Sequence, residues 1–113
     1  MTGGSFFRDG EYIPLFKVTP IYPRRAQERG TQGYALVKFT ITESGTVENV
    51  EPVEGFCGDP QNPDTEFRPC TMFNSASSRA ALKLKYKPKI VDGKAVAVDD
   101  VLHRFTFILA EDD

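Results

Sequence analysis

The chain has 113 residues, 40% hydrophobic and 12% aromatic, which is enough apolar material for one domain with a single core. Its 14 basic and 16 acidic side chains give a formal net charge of −2, so the composition offers no support for a nucleic acid partner. The sequence contains no apolar run of membrane-spanning length, and its first residues lack the pattern of a signal peptide. We therefore expect one soluble domain over residues 11–113, with residues 1–10 as a cloning scar or a linker remnant.

A surface arm and a short helix are predicted first. The apolar segment 12–18 is interrupted by Pro14, and it suits an extended arm on the surface better than a central strand. A two-turn helix over residues 23–29 is indicated by Pro23 at its first position and by Gly30 just past its end.

A β-hairpin follows. From Tyr34 the sequence alternates between apolar and polar residues, as in a strand with one buried side. The turn ESGT contains Gly45, which supplies a positive φ, and residues 47–54 return as the second strand. The three-residue spacing of two valines suggests a bulge near Glu48 and Asn49. The apolar face of the first strand is predicted to consist of Ala35, Val37, Phe39 and Ile41.

An insertion over residues 57–70 is bounded by the two cysteines of the chain. Cys57 and Cys70 enclose twelve residues rich in Pro, Asp and Asn, which would not form a regular element easily. A disulfide between them would stabilise this loop by roughly 3 kcal/mol and would place the domain in an oxidising compartment. The alternative is a pair of free, buried thiols in a cytosolic protein.

An amphipathic helix is predicted after this loop. It is expected to begin with Thr71 or Asn74 as its cap and to end at Pro88. Its apolar face recurs at intervals of three and four residues and comprises Phe73, Ala76, Ala80, Ala81 and Leu84. Its cations are attributed to the favourable field at the C-terminal end of the helix dipole, and they are Arg79, Lys83, Lys85 and Lys87.

The last predicted element is a strand over residues 98–109, which follows a turn at Asp92 and Gly93. Its buried phase is predicted to contain Val101, Phe105, Phe107 and Leu109.

These elements predict an α+β fold with a three-stranded antiparallel-type sheet packed on the amphipathic helix, plus the short N-terminal helix. A strand, helix, strand connection in one sheet is right-handed, and it makes the second and third strands parallel. The first strand is expected between them and antiparallel to both. The predicted sheet order is therefore two, one, three.

The two edges of this predicted sheet differ in chemistry. Like charges and a proline are expected to block the edge of the second strand, through Glu48, Glu51, Pro52 and Glu54. The third strand has no proline, and the residues of its second face are compatible with pairing to a neighbouring strand. These residues are Leu102, Arg104, Thr106 and Ile108. We expect this open edge to accept an added peptide, through main-chain hydrogen bonds and pockets for alternate side chains.

No catalytic, cofactor or metal site is predicted, so the chain is not expected to be an enzyme. His103 is the only histidine, and it lies in the apolar phase of the last strand without a nucleophile in triad context. Zinc held by Cys57, Cys70 and His103 would lack a fourth ligand. The acidic residues of the cysteine loop do not have the spacing of a calcium-binding loop, so no calcium site is expected there. They are Asp59, Asp64 and Glu66.

Four segments in order resemble the C-terminal domain of the TonB family of bacterial energy transducers. They are YPRRAQERGTQG, VKFTITESGTVENV, FNSASSRAALKLKYKP, and VDGKAV followed by RFTF, and the resemblance runs from Pro20 to Leu109. It implies a periplasmic domain that an N-terminal helix and a long linker, both absent from this chain, tether to the inner membrane. It also implies an ExbB/ExbD-type proton-driven complex as the inner-membrane partner, and outer-membrane β-barrel transporters as the outer partners.

The resemblance further implies how the partner binds. The TonB box, a short extended peptide of the transporter, would pair with residues 98–107 while residues 21–25 lie beside it, and the joint would transmit force for active uptake such as that of iron-siderophore complexes. Arg24 or Arg25 is expected to pair with a partner carboxylate, unless these arginines only solvate a helix face. The expected partner-binding residues are Ile21, Tyr22, Pro23, Arg24, Arg25, Val98, Val101, Leu102, His103, Arg104, Phe105, Thr106 and Phe107.

Two other functions remain open from the sequence. One is a TonB-like module that binds another partner in the bacterial envelope. The other is a small secreted enzyme or enzyme inhibitor that uses the cysteine loop as its working surface. The open strand edge also permits a homodimer.

Overall fold

The structure is a computed structural model that describes residues 12–109. Neither helix in this part of the chain is long and apolar enough to cross a membrane. The interpretation of residues 1–10 as a scar or linker lies outside the described residues. The elements in chain order are α1 (Arg24–Arg29), β1 (Gly33–Ile41), β2 (Val47–Cys57), β3 (Arg68–Pro69), α2 (Asn74–Ala81), β4 (Lys89–Val91), β5 (Lys94–Val96) and β6 (Val98–Phe107).

The main sheet has four strands in the order β3, β2, β1, β6, and β1 pairs antiparallel with both β2 and β6. The prediction of a three-stranded sheet is therefore wrong in strand number. The extra strand β3 is only two residues long and pairs with the end of β2. It forms because a disulfide joins Cys57 to Cys70, with their Cα atoms 5.7 Å apart, and so holds Arg68 opposite Cys57. The predicted disulfide is confirmed, and the alternative of two free thiols is wrong.

A second, two-stranded sheet was not predicted. The turn at Asp92 and Gly93 was expected, and both residues have positive φ, 51° and 80°. A two-residue loop of this kind joins antiparallel strands, and here it pairs β4 with β5. The resulting β4-β5 hairpin is separate from the main sheet.

Both neighbours of β1 bulge opposite it. Lys38 pairs with Glu51 while Thr40 pairs with Glu48, which leaves an extra residue on β2, and Asn49 there has a φ of 57°. The predicted bulge is confirmed. On β6 a corresponding bulge places Asp100 at a φ of 58°. The Lys38 ammonium lies between the two bulges, 2.9 Å from Glu51 Oε1 and 3.9 Å from Asp100 Oδ1, and its hydrogen bond to Glu51 raises the pKa of Lys38.

The core lies between the main sheet and α2. The predicted inner face of β1 is confirmed, because Ala35, Val37, Phe39 and Ile41 are all buried. The predicted apolar face around α2 is also buried, from Phe73 to Leu84. Gly33 lets the sheet and helix layers approach closely, since a Cβ at this position would collide with the Phe56 carbonyl oxygen and the Phe73 ring.

Helix α2 is shorter than predicted, because it ends at Ala81 and not at Pro88, and Phe73 occupies its N-cap without a side-chain hydrogen bond. The chain beyond it is extended, with Leu84 and Tyr86 buried at every second position. The Tyr86 N–H donates to the Gly45 carbonyl oxygen at 2.8 Å, and this long-range bond replaces a helical one. Among the four cations attributed to the dipole, only Arg79 lies in the last helical turn. That interpretation is therefore wrong for Lys83, Lys85 and Lys87, which follow the helix.

Smaller boundary differences have local causes. Pro23 is the N-cap of α1, with an extended ψ of 133°, and not its first helical residue. The predicted role of Gly30 is confirmed, since its φ of 69° is left-handed. Strand β2 extends to Cys57 because β3 and the disulfide support its end. Strand β6 ends at Phe107, two residues earlier than predicted.

Candidate functional site

A groove of about 640 Å³ runs between β6 and the arm formed by residues 12–20. On the β6 side the groove is lined by residues 103–106 and by Ile108, which follows the strand. On the arm side it is lined by apolar and polar residues around Pro14. Leu84, from the extended segment after α2, completes the lining. The arm residues that line the groove are Ile13, Pro14, Phe16, Lys17, Val18, Thr19 and Pro20.

The β6 wall is an edge of the main sheet. Among residues 12–109, β1 is the only strand that pairs with β6. In such an edge strand every second residue directs its N–H and C=O away from its neighbour. Residues 98–107 contain no proline, and the strand pairs regularly with β1 from Val101 to Phe107. The groove therefore runs along a strand edge that has backbone groups to offer.

The arm wall is held by both polar and apolar contacts. The Leu15 N–H donates to the Lys85 carbonyl oxygen at 2.8 Å, and Tyr12 and Val18 pack against the core. Other apolar side chains of the arm remain in solvent, since Ile13 is 79% exposed and Phe16 is 52% exposed. The arm is thus anchored at some positions and presents unburied apolar surface at others.

Tyr22 anchors the chain between the arm and α1. Its hydroxyl donates to the Thr31 carbonyl oxygen at 2.6 Å, and burial raises the pKa of the phenol. Its ring meets Phe73 and Phe107 edge-on, with centroids 5.9 Å and 5.6 Å away, and those two rings stack at 4.4 Å. Because Phe107 belongs to β6, Tyr22 ties this part of the chain to the core beneath the edge strand.

Two side chains of β6 in the groove have aromatic neighbours. The His103 ring lies 4.6 Å from the Phe105 ring in an edge-on arrangement. The Arg104 guanidinium lies 4.8 Å from the centroid of the Tyr34 ring, within the range of a cation–π interaction. Tyr34 in turn contacts Phe67 of the cysteine loop, with ring centroids 5.3 Å apart. The cysteine loop is therefore linked to the edge strand through Tyr34 and Arg104.

The structure brings together only some of the predicted partner-binding residues. Four of them line the groove, namely His103, Arg104, Phe105 and Thr106. Four others on β6 are buried and lie outside its lining, namely Val98, Val101, Leu102 and Phe107. The segment 21–25 does not line the groove. Arg24 and Arg25 are exposed on α1, and Ile21 lines a small depression beside α2.

The sequence reasoning missed the arm as a wall of this groove. It expected the segment 12–18 to lie extended on the surface; in the structure this segment forms no helix or strand, and it bends at Leu15 and Phe16. What it did not use was the presence of large apolar residues, such as Ile13 and Phe16, in a segment with no strand or helix to bury them. Such a pattern is a signal of a binding surface.

Metal coordination has no support in the described part of the chain, where no three His, Cys, Asp or Glu side chains are grouped to hold an ion. The zinc arrangement considered from the sequence is wrong, because Cys57 and Cys70 are bonded to each other.

Comparisons with known proteins agree on one family. The family model described as Gram-negative bacterial TonB protein C-terminal matches residues 18–56. Protein TonB of Pseudomonas aeruginosa is 33% identical over 89 residues, which are 79% of this chain and 22% of that protein. The solution NMR structure of the Pseudomonas aeruginosa TonB CTD superposes with a TM-score of 0.61 at 30% identity, covering 93% of both chains. The chain belongs to the TonB C-terminal domain family.

A second solved structure extends the agreement. The tonb2 protein of Vibrio anguillarum is 33% identical, with a TM-score of 0.56 over 88% of this chain and 82% of that one. The family-model match ends in β2, so the assignment of β6 to this TonB C-terminal domain depends on the similarity of the folds. The chain spans about a fifth of the length of the curated TonB relative that it matches.

Proposed function

We propose that this TonB C-terminal domain binds the TonB box of outer-membrane transporters by strand addition along β6. The observation that carries the proposal is the edge of β6, which forms a ladder with no strand other than β1 among residues 12–109 and borders a groove of about 640 Å³. A peptide added there gains main-chain hydrogen bonds from β6 and side-chain contacts from the groove walls.

The two walls of the groove supply different parts of the recognition. Strand β6 offers backbone donors and acceptors, which any extended peptide can use. The arm offers Ile13 and Phe16, whose exposed apolar side chains would select apolar residues at alternate positions of the peptide. Arg24 and Arg25 are exposed on α1, outside the groove, so a partner carboxylate would meet them beyond the paired segment.

The proposed joint is mechanical and needs no catalytic group. A peptide pulled roughly along its own axis loads several hydrogen bonds of the added strand together, and a joint loaded in this way resists force. In the full-length protein we propose a membrane helix in the inner membrane, an ExbB/ExbD-type complex as the source of energy, and the periplasm as the location of this domain. The cargo, such as an iron-siderophore complex, would be carried by the transporter.

Strand addition can be tested with N-methylated peptides. A TonB-box peptide labelled with a fluorophore is titrated with the chain, together with two variants that carry N-methyl groups on either the odd or the even residues. Only alternate amides of an added strand donate to β6, so one methylated variant should lose binding and the other should keep it. Equal affinity of all three peptides would contradict strand addition.

The location of the peptide is tested by backbone amide shifts in the same titration. We expect shifts along β6 and the arm. Shifts confined to residues 57–70 would instead favour the cysteine loop as the working surface and would reject the proposed site. Sedimentation of the free chain checks whether two copies pair through the same edge, in which case added peptide should dissociate the dimer.

A further inference from the structure

The segment from the end of α2 to β5 is strongly basic. Between residues 83 and 94 the chain carries five lysines and one acid, Asp92, although the whole chain has a net charge of −2. All five ammonium groups are exposed, and none forms an ion pair within residues 12–109. We call this set the lysine strip; it consists of Lys83, Lys85, Lys87, Lys89 and Lys94.

The fold holds the lysine strip in place. Leu84 and Tyr86 are buried at alternate positions, which directs the intervening lysines outward. The backbone of this segment is fixed on both sides, by the bond from the Tyr86 N–H to Gly45 and by the bond from the Leu15 N–H to Lys85. The helix dipole does not explain the strip, because α2 has already ended at Ala81.

Aliphatic side chains stand among these lysines. In the β4-β5 hairpin Ile90 is 59% exposed and Val91 is 44% exposed, and Leu82 at the end of α2 is exposed as well. Within the hairpin, Val91 pairs with Lys94, so an apolar side chain and an ammonium group share one face near the turn. Ile90 pairs with Ala95 on the opposite face. Neither β4 nor β5 pairs with the main sheet.

We propose that the lysine strip and the β4-β5 hairpin bind the surface of an anionic lipid bilayer, with Val91 entering the interface. Lysines near such a surface are attracted by the anionic headgroups, and exposed aliphatic side chains add apolar burial at the boundary with the acyl chains. Charge complementarity favours this occupant, because the segment carries five lysines against one acid, Asp92. An acidic protein would also attract the lysines, but its acidic surface would bury none of the exposed aliphatic side chains.

The chain has no tryptophan, so one introduced tryptophan reports on the depth of the hairpin. Val91→Trp is titrated with vesicles of phosphatidylethanolamine and phosphatidylglycerol, and with vesicles of phosphatidylcholine alone. We expect a blue shift of the emission with the anionic vesicles only. Val53→Trp on β2, also on an exposed aliphatic residue, is the matched control and should not shift. A missing shift for Val91→Trp overturns the proposal.

The charge contribution is tested with matched reversals. Lys89→Glu with Lys94→Glu should weaken binding to the anionic vesicles by at least about 30-fold, since each lysine near such a surface contributes about 1 kcal/mol and each glutamate adds repulsion. Arg29→Glu with Arg68→Glu makes the same change in net charge away from the strip, and should weaken binding by less than about 5-fold. Equal losses in both variants would reject a specific surface.

Soluble polyglutamate separates a membrane from an acidic protein. If Val91→Trp binds polyglutamate as tightly as it binds the anionic vesicles, the aliphatic side chain contributes nothing and the membrane proposal is overturned. These experiments use no TonB-box peptide, so their outcome is independent of the proposed function of the groove.

Discussion

The two strands that flank β1 have very different outer edges. Strand β2 carries acidic side chains and Pro52 in its exposed middle, and it bulges twice in its pairing with β1. At its far end, however, it accepts β3, because the disulfide presents Arg68 and Pro69 to it. Strand β6 has no proline, bulges once, and faces the groove. The comparison shows that individual residues block a sheet edge only where they lie. A disulfide can still hold a short strand against another part of the same edge.

The largest expected effect on stability comes from removing the disulfide. Cys57→Ala with Cys70→Ala should lower the free energy of unfolding by roughly 3 kcal/mol, because the loop-closure entropy returns to the unfolded chain. Urea denaturation measures the loss, and Glu66→Ala in the same loop is a control that keeps the bridge. If the two edges are independent, the affinity of β6 for the TonB-box peptide should not change. A large drop in that affinity would show that the edges are coupled.

A smaller effect is expected at Tyr22, which ties the segment before α1 to β6. Tyr22→Phe removes the bond to the Thr31 carbonyl oxygen and should lower stability by about 1 kcal/mol while keeping the ring contacts. Unchanged stability would mean that water replaces the hydroxyl.

The same variant has a pH signature. Because burial raises the pKa of the Tyr22 phenol, its stabilisation is complete below the ordinary value of about 10 and is lost as the pH rises through the folded-state pKa. The stability difference between the natural chain and Tyr22→Phe should therefore shrink above about pH 10. Lys38, whose pKa is also raised, titrates in both proteins and cancels in the difference.

Arg104 tests whether the two edges communicate through the aromatic contacts. Arg104→Ala removes the cation–π contact with Tyr34 and should lower stability by about 0.5–1 kcal/mol, whereas Arg104→Lys should retain part of it. Combining Arg104→Ala with the double cysteine variant gives a double-mutant cycle. Additive losses would indicate that the cysteine loop and β6 are energetically separate.

The smallest effect is expected at Arg25, which is exposed on α1 and lies outside the groove. If it pairs with a partner carboxylate at the surface, Arg25→Glu should weaken peptide binding by about threefold, in the range of exposed ion pairs. Arg29→Glu on the same helix is the control. An identical affinity for both variants would remove Arg25 from the site.

Features that depend only on neighbouring residues could be predicted from the sequence. Alternation identified the buried face of β1, Gly30 marked the end of α1, and the spacing of Val47 and Val50 marked the bulge at Asn49. The open edge of the last strand could be argued from its lack of proline. Each of these features follows from backbone geometry over a few residues, which local composition encodes directly.

Only the tertiary structure decided what depends on distant segments. It placed the arm opposite β6, put Tyr22 against Phe107, and, beyond the end of α2 at Ala81, bonded the Tyr86 N–H to Gly45 in a remote turn. It also left the lysines after α2 outside any helix. Contacts between residues far apart in the chain compete with local helical bonds, and their outcome depends on which surfaces meet when the core closes.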